Sequence, residues 1–174
     1  MIGKATLEDF PKLKRLINKP LYQVHMDSFS SSVKSIEGYS HAIVFVDAAT
    51  GYRWLYGLKA KDDAINALRK LYSDIADLRT KHKLVVLMLD NASEYKSEDM
   101  MQFLESKGIR SHFSTPKKQW QNGAAESTIN SIMLIARTVM AESGLGGRFW
   151  FKAAAAGKDT RNVTFKERIG MSPY

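Results

Sequence analysis

Residues 84–89 read Leu-Val-Val-Leu-Met-Leu and run straight into Asp90. A six-residue apolar run has the length of a strand and no polar alternation. It predicts a strand covered on both faces, as in the parallel part of an α/β sheet. Such a strand needs neighbours on either side and helices above and below. It also puts Asp90 at the carboxyl end of a buried strand, where sheets of this kind hold ligands and do chemistry.

The remainder of the chain supplies those partners. Residues 22–29 predict a first strand with Asp27 near its end, and residues 41–47 a second, rich in β-branched side chains. Ala48-Ala49-Thr50-Gly51 makes a turn, after which residues 52–59 alternate Tyr52, Trp54, Tyr56 and Leu58 on one face. These three strands form an antiparallel meander, with the aromatic stripe read as core and not as a base-stacking platform. A helix capped by Asp62 or Asp63 follows, with Ile65, Leu68, Leu71, Tyr72, Ile75 and Leu78 at a 3.6-residue period and its end at Lys81-His82-Lys83.

Beyond Asp90, a helix is expected from about Ser97 to Lys107, stopped by Gly108, and then a short strand over residues 109–113. Residues 114–123 hold a proline, two lysines and an Asn-Gly pair and read as a loop. A long helix runs from Ala124 to about Ser143 with Ala125, Ile129, Ile132, Ala136 and Val139 as its buried stripe, and a last helix spans roughly residues 147–162. The order β-β-β-α-β-α-β-α-α predicts an α/β fold, a five-stranded mixed sheet flanked by helices, with the first and fourth strands adjacent. Residues 1–21 form a basic lead-in, and residues 22–174 form the domain. The ending Ser172-Pro173-Tyr174 reads as a domain cut from something longer.

Charge points to a partner. The net charge is +8 and the isoelectric point about 9.6. Residues 110–174 hold 10 Lys and Arg against 4 Asp and Glu, so most of the excess sits in the last third. A polyanion, nucleic acid above all, fits that balance. The absence of cysteine excludes disulfides and cysteine-based zinc sites. No apolar run reaches the roughly 18–20 residues of a membrane helix, so no membrane partner is expected.

Three acids fall where chemistry can use them: Asp27 on the first strand, Asp90 after the buried strand, and Glu126 in the first turn of the long helix. Gathering carboxylates without a nearby cation is costly unless a divalent metal neutralises them. Oxygen-only ligands select Mg²⁺ or Mn²⁺, and two such ions about 3.5–4 Å apart can clamp an in-line phosphoryl transfer. On residue types alone, three unrelated acids, serving a turn, a helix dipole and a strand end, are the favoured reading. Asp47 and Glu94 each also follow a predicted strand end and stand as rivals. In the loop before Glu126, Lys117, Lys118, Gln119 and Asn122 are candidates for contacts to a DNA backbone. Arg137, further along the helix, is a candidate for DNA or for pairing with an acid.

The wider pattern goes further. Thirty-five residues separate Asp90 from Glu126. Around them stand His25-Met26-Asp27, the run Val44-Phe45-Val46-Asp47, Asp90-Asn91-Ala92-Ser93-Glu94-Tyr95, and Gly108-Ile109-Arg110-Ser111-His112. Gln121-Asn122-Gly123-Ala124-Ala125-Glu126, Ala136-Arg137-Thr138, Phe149-Trp150, Thr160-Arg161-Asn162 and Gly170-Met171-Ser172-Pro173-Tyr174 complete the set. In order and spacing these segments resemble the DD(35)E catalytic cores of retroviral and retrotransposon integrases, most closely those of copia-type LTR retrotransposons. The chain departs from that family at Ala92, where glycine is usual, at Ser127, where arginine is usual, and across Lys117-Lys118-Gln119-Trp120.

The resemblance implies a ribonuclease-H-like fold with Asp27, Asp90 and Glu126 as a triad holding two Mg²⁺ or Mn²⁺ ions. It implies trimming of cDNA 3′ ends and transfer of those ends into target DNA. Partners would be double-stranded DNA and further copies of the chain, as a homodimer or higher oligomer, in the nucleus and in a cytoplasmic virus-like particle. A bacterial-type DDE transposase and a domesticated DNA-binding module without catalysis are the rival readings. A ribonuclease H would be expected to carry a fourth acid.

Overall fold

The computed structural model describes residues 18–90, 92–114, 123–166 and 170–173. Its strands are β1 (Gln23–Ser30), β2 (His41–Asp47), β3 (Arg53–Leu58), β4 (Val86–Leu89) and β5 (Arg110–Phe113). Its α-helices are α1 (Ala64–Asp74), α2 (Glu98–Ser106), α3 (Gly123–Ser143) and α4 (Trp150–Val163). The sheet order is β3-β2-β1-β4-β5, antiparallel across the first three and parallel for β1 with β4 and β4 with β5. The expected mixed sheet and the adjacency of the first and fourth strands are both present. Among the described residues, no helix is long and apolar enough to cross a membrane.

Strand alternation sorts the core into two layers. Val24 and Met26 of β1, Ile43 and Phe45 of β2, and Leu87 and Leu89 of β4 face α1 and α2, where Leu68, Leu71, Met100 and Leu104 meet them. Val44 and Val46 of β2 face the other way, onto Ile132 and Ala136 of α3 and Ala153 and Ala154 of α4. The predicted aromatic stripe belongs to the first layer: Trp54 and Tyr56 are half-buried against it and Leu58 is buried.

The two helices of the second layer cross closely. A Cβ built on Gly157 would lie 2.7 Å from the carbonyl oxygen of Ile132, so only glycine lets the backbones approach this far. The crossing is fastened to the sheet at its far end. There the buried Asn162 accepts from the Arg53 N–H at 3.0 Å and donates to the Arg53 carbonyl at 2.9 Å, bridging α4 to β3.

Several boundaries differ from the sequence reading. The α1 helix stops at Asp74; Ile75 is its last inward residue, and a short 3₁₀ turn over Leu78–Thr80 follows with Leu78 48% exposed. The apolar period continues past the point where the chain must turn back toward the sheet. Asp63 occupies the cap position, but its carboxylate accepts from the Ala60 N–H and not from the helix. Val139 is exposed, and Met140 takes the contact one helical turn beyond Ala136. Leu84 is buried yet precedes the ladder, because the N–H groups of Val85 and Val86 both donate to the Tyr22 carbonyl. The expected helix from about Ser97 is α2; Ser97 itself caps it by accepting from the Met100 N–H, and, as predicted, Gly108 ends it, with φ +63°.

Candidate active site

In the parallel ladder Gln23, Val24 and His25 stand opposite Val86, Leu87 and Met88. Continuing that register by two residues sets Asp27 abreast of Asp90, just past the last residue of β4. Asp27 and Asp90 both fall on the side of the sheet opposite Met26 and Leu89, which is the side that α3 covers. Glu126 projects from the first turn of α3, whose neighbour Ala125 is fully buried. Three segments distant in sequence therefore converge on one end of the two central parallel strands.

Each aspartate commits one oxygen to the backbone. Asp27 Oδ1 accepts from the Ser28 N–H at 2.8 Å, and Asp90 Oδ1 accepts from the Ala92 N–H at 3.0 Å in an Asx-type turn. Among the described residues neither second oxygen receives a hydrogen bond. The turn after Asp90 is pinned to β1 by Tyr95, whose buried ring sends its hydroxyl to Ser28 Oγ at 2.7 Å. Both aspartates are thus held by contacts made within a few residues of each other in space.

The electrostatics follow from that placement. The Asp27 carboxyl is pushed up to about 6, chiefly by burial, with the Ser28 N–H opposing and the carboxylates of Asp90 and Glu126 adding to the rise. An acid whose ionised form is held back by two further acids lies in an uncompensated negative potential. Hard oxygen donors in such a potential suit Mg²⁺ or Mn²⁺. Among the described residues no three His, Asp or Glu side chains converge closely enough to cage an ion unaided. Ions here would therefore be held with oxygens from water or from substrate, as Mg²⁺ commonly is.

The other candidates sort clearly. Asp47 is buried and spent: Oδ1 accepts from the Leu21 N–H, and Oδ2 accepts from the Thr50 N–H and hydroxyl. It sits opposite Val24, toward the other end of the sheet from Asp27. The side chain of Glu94 lies outside the described residues, as do Lys117, Lys118, Gln119 and Asn122. Arg137 is exposed, with no ion pair among the described residues, and about 16 Å along α3 from Glu126 at 1.5 Å per residue. It is near the same helical line but remote from the acids. A cleft of about 840 Å³, lined by Gln23, Met88, Met101, Arg110 and His112 among others, lies over β4 and β5 and does not include the acids.

Sequence reasoning gives Tyr95 and Asn162 no function, although both stand in segments that carry the resemblance. Their part is to hold the frame. The signal is a polar side chain (the Tyr95 hydroxyl, the Asn162 amide) embedded in an otherwise structural run, and only the fold shows what it bonds.

The Integrase core domain model matches residues 17–119. That is more than half of the chain, and it includes Asp27 and Asp90. This chain belongs to the integrase core domain family. The integrase core is 30% identical over 121 residues to the retrovirus-related Pol polyprotein from transposon TNT 1-94 of Nicotiana tabacum, covering 70% of this chain and 9% of the polyprotein. It is 27% identical over 149 residues to the Pol polyprotein from transposon RE2 of Arabidopsis thaliana, covering 86% and 10%. It is 28% identical over 171 residues to the transposon Ty1-NL2 Gag-Pol polyprotein of Saccharomyces cerevisiae, covering 93% and 10%. This integrase core thus spans about a tenth of the length of these relatives. A chain in the cryoEM structure of the simian T-cell lymphotropic virus intasome, in complex with PP2A regulatory subunit B56 gamma, superposes with a TM-score of 0.72 at 16% identity. That match covers 90% of this chain and 54% of the other. The fold is ribonuclease-H-like.

Proposed function

We propose that this chain is the catalytic core of a copia-like retrotransposon integrase, joining element cDNA ends to target DNA by metal-dependent polynucleotidyl transfer. One observation carries the reading: Asp27 on β1 stands abreast of Asp90, just past the end of the parallel β4, with the charge of Glu126 felt at Asp27. Asp27, Asp90 and Glu126 are the residues that would hold Mg²⁺ or Mn²⁺, two ions in the full complex. When bound, the ions supply charge neutralisation at the reacting phosphate and activation of the attacking oxygen.

The chain's own part is positioning and electrostatics. Asp27 and Asp90, each clamped through one oxygen to a backbone N–H, offer the other at a fixed spacing. The Tyr95–Ser28 bond keeps the two strand ends from sliding apart. Glu126, exposed in the first turn of α3, would reach the pair from solvent as substrate arrives. The surplus positive charge of residues 110–174 favours a DNA partner, with Lys117, Lys118, Gln119, Asn122 and Arg137 as backbone contacts. By likeness to the family, the working form is a dimer or larger assembly on double-stranded DNA. It would act in the nucleus and be carried in a cytoplasmic virus-like particle.

The test uses a branched DNA that mimics a strand-transfer product, incubated with the protein in Mn²⁺ or Mg²⁺ beside Glu126→Gln. Metal-dependent resolution in the wild type and its loss in the variant is the expected result. DNA binding by both proteins with resolution by neither would instead favour a non-catalytic binding module.

A further inference from the structure

The opposite end of the sheet carries chemistry that the carboxylates do not use. Two clefts adjoin where the chain leads into β1 and β4. One, of about 280 Å³, is lined by Lys19, Lys81 and Lys83. The other, of about 390 Å³, is lined by Tyr52, Trp54, Leu21 and Leu78 among others. Pro20 and His82 line both, so the two clefts adjoin as neighbouring lobes of the surface.

The lobes differ sharply in character. The three lysines are exposed, and among the described residues none has a carboxylate partner. The rings of Tyr52 and Trp54 lie 4.7 Å apart at 58°, and both residues are half-buried and line the groove. Asp47 also lines the aromatic lobe, but it is only 2% exposed with both oxygens bonded to Leu21 and Thr50, and this lobe is the one that would take a base, not a phosphate.

We propose that this groove binds an unpaired nucleic-acid strand, with phosphates over Lys19, Lys81 and Lys83 and a base against Tyr52 and Trp54. A nucleotide joins a flat apolar ring to an anion through one sugar, and this groove sets an aromatic lobe beside a tri-lysine lobe. Proteins that hold single strands combine these two elements, a positive track and stacking rings. A duplex keeps its base faces stacked and offers only its backbone here. The groove is separate from the carboxylates: Val85 to Asp90 along β4 is about 16 Å at 3.3 Å per residue. It goes beyond the proposed transfer chemistry and does not depend on it.

Fluorescence anisotropy tests this with a labelled oligothymidine a dozen nucleotides long and a duplex of the same length, over a range of salt. The variant Lys19→Ala/Lys81→Ala/Lys83→Ala should bind oligothymidine at least tenfold more weakly. Its salt dependence should be shallower by about two in the log–log slope, from ~0.7 for each phosphate that a lysine no longer neutralises. The charge-matched variant Lys34→Ala/Lys59→Ala/Lys61→Ala, altered at exposed lysines elsewhere, should bind as the wild type does. Trp54→Leu should weaken oligothymidine about tenfold and leave the duplex unchanged. Tyr52→Leu reads the same lobe if Trp54→Leu fails to fold. Asp27→Asn/Asp90→Asn should bind the strand normally, so loss of transfer chemistry and loss of this groove are read separately. Equal losses in the two triple variants, or duplex and oligothymidine responding alike to the aromatic substitutions, would overturn the proposal.

Discussion

Asp27 and Asp90 stand abreast on parallel neighbours, two residues beyond the His25–Met88 pair, and each uses one carboxylate oxygen to fasten the backbone just after it. The pair is therefore a property of strand register. A slip of one residue in either strand would turn one acid to the opposite face of the sheet.

The first prediction concerns acidity in the metal-free protein. Asp27 is raised from 3.8 to about 6, so the folded state binds its proton more tightly than the unfolded state does. Stability contributed by the protonated acid is present below pH 4 and is lost as pH rises from about 4 to 6. A shift of that size corresponds to roughly 3 kcal/mol before solvent screening, and about 1–2 kcal/mol after discounting for its partial exposure. Asp27→Asn should therefore stabilise the apoprotein by about 1–2 kcal/mol at pH 7 and by nothing near pH 3.5. Urea melts in EDTA at both pH values decide it; an equal change at both would refute the assignment.

Metal should reverse that penalty. With free Mn²⁺ about a hundredfold above its Kd, linkage adds ~2.7 kcal/mol, or about 5–10 °C in Tm for a chain of this size. The rise should disappear in Asp90→Asn and shrink in Glu126→Gln. A rise that persists in Asp90→Asn would place the ion elsewhere.

Asp47 separates an acid spent on structure from those proposed for catalysis. Asp47→Ala removes acceptors from the Leu21 N–H, the Thr50 N–H and the Thr50 hydroxyl, and should cost about 2–4 kcal/mol. Resolution of branched DNA per folded molecule should stay within about twofold of wild type. Abolished chemistry in a folded protein would return Asp47 to candidacy as a metal ligand.

Asn162 should be among the polar side chains that stability tolerates losing least. Its two bonds to Arg53 satisfy both backbone groups of a residue on the edge strand β3. Asn162→Ala leaves that N–H and carbonyl buried without partners, at about 2–4 kcal/mol. Differential scanning calorimetry would show a Tm fall of several degrees; a change below one degree contradicts the role.

Gly157→Ala sets two effects against each other. Alanine gains about 1 kcal/mol in helix propensity, but the added methyl would meet the Ile132 carbonyl at 2.7 Å. Backbone cannot yield as a side chain can, so the clash wins and net destabilisation of about 1–3 kcal/mol is expected. Loss of junction resolution should exceed the loss of stability, because the same displacement moves the helix that carries Glu126. A stabilised Gly157→Ala would show that the two helices separate freely.

How much of this is legible in the residues depends on the range of the interaction. The apolar run ending at Asp90, the β-branched second strand and the Ser97 and Gly108 boundaries of α2 are local signals, and each survives in the fold. The end of α1 is not legible, because Leu78 continues the helical period while the chain has already turned. Val139 misleads because its environment is set by the crossing with α4, invisible to a pattern within one helix. For the acids, sequence supplies Asp27, Asp90 and Glu126 but leaves Asp47 in contention. Only its three hydrogen bonds, two of them to a turn three residues away, show that it is occupied. The Tyr95–Ser28 and Asn162–Arg53 bonds join distant segments and have no signal at all in spacing.

The placement of β1 at the centre of the sheet has a cost in time. β1 is the first strand of the fold to leave the ribosome, and it pairs at once with the meander on one edge. Its other edge stays bare until β4 arrives, beyond two strands and a helix. Parallel closure over that distance is slow relative to hairpin formation. A chain stalled before β4 exposes an unpaired central strand to its neighbours, a template for aggregation. Folding of the nascent domain should thus be limited by the same strand pairing that later brings its acids together.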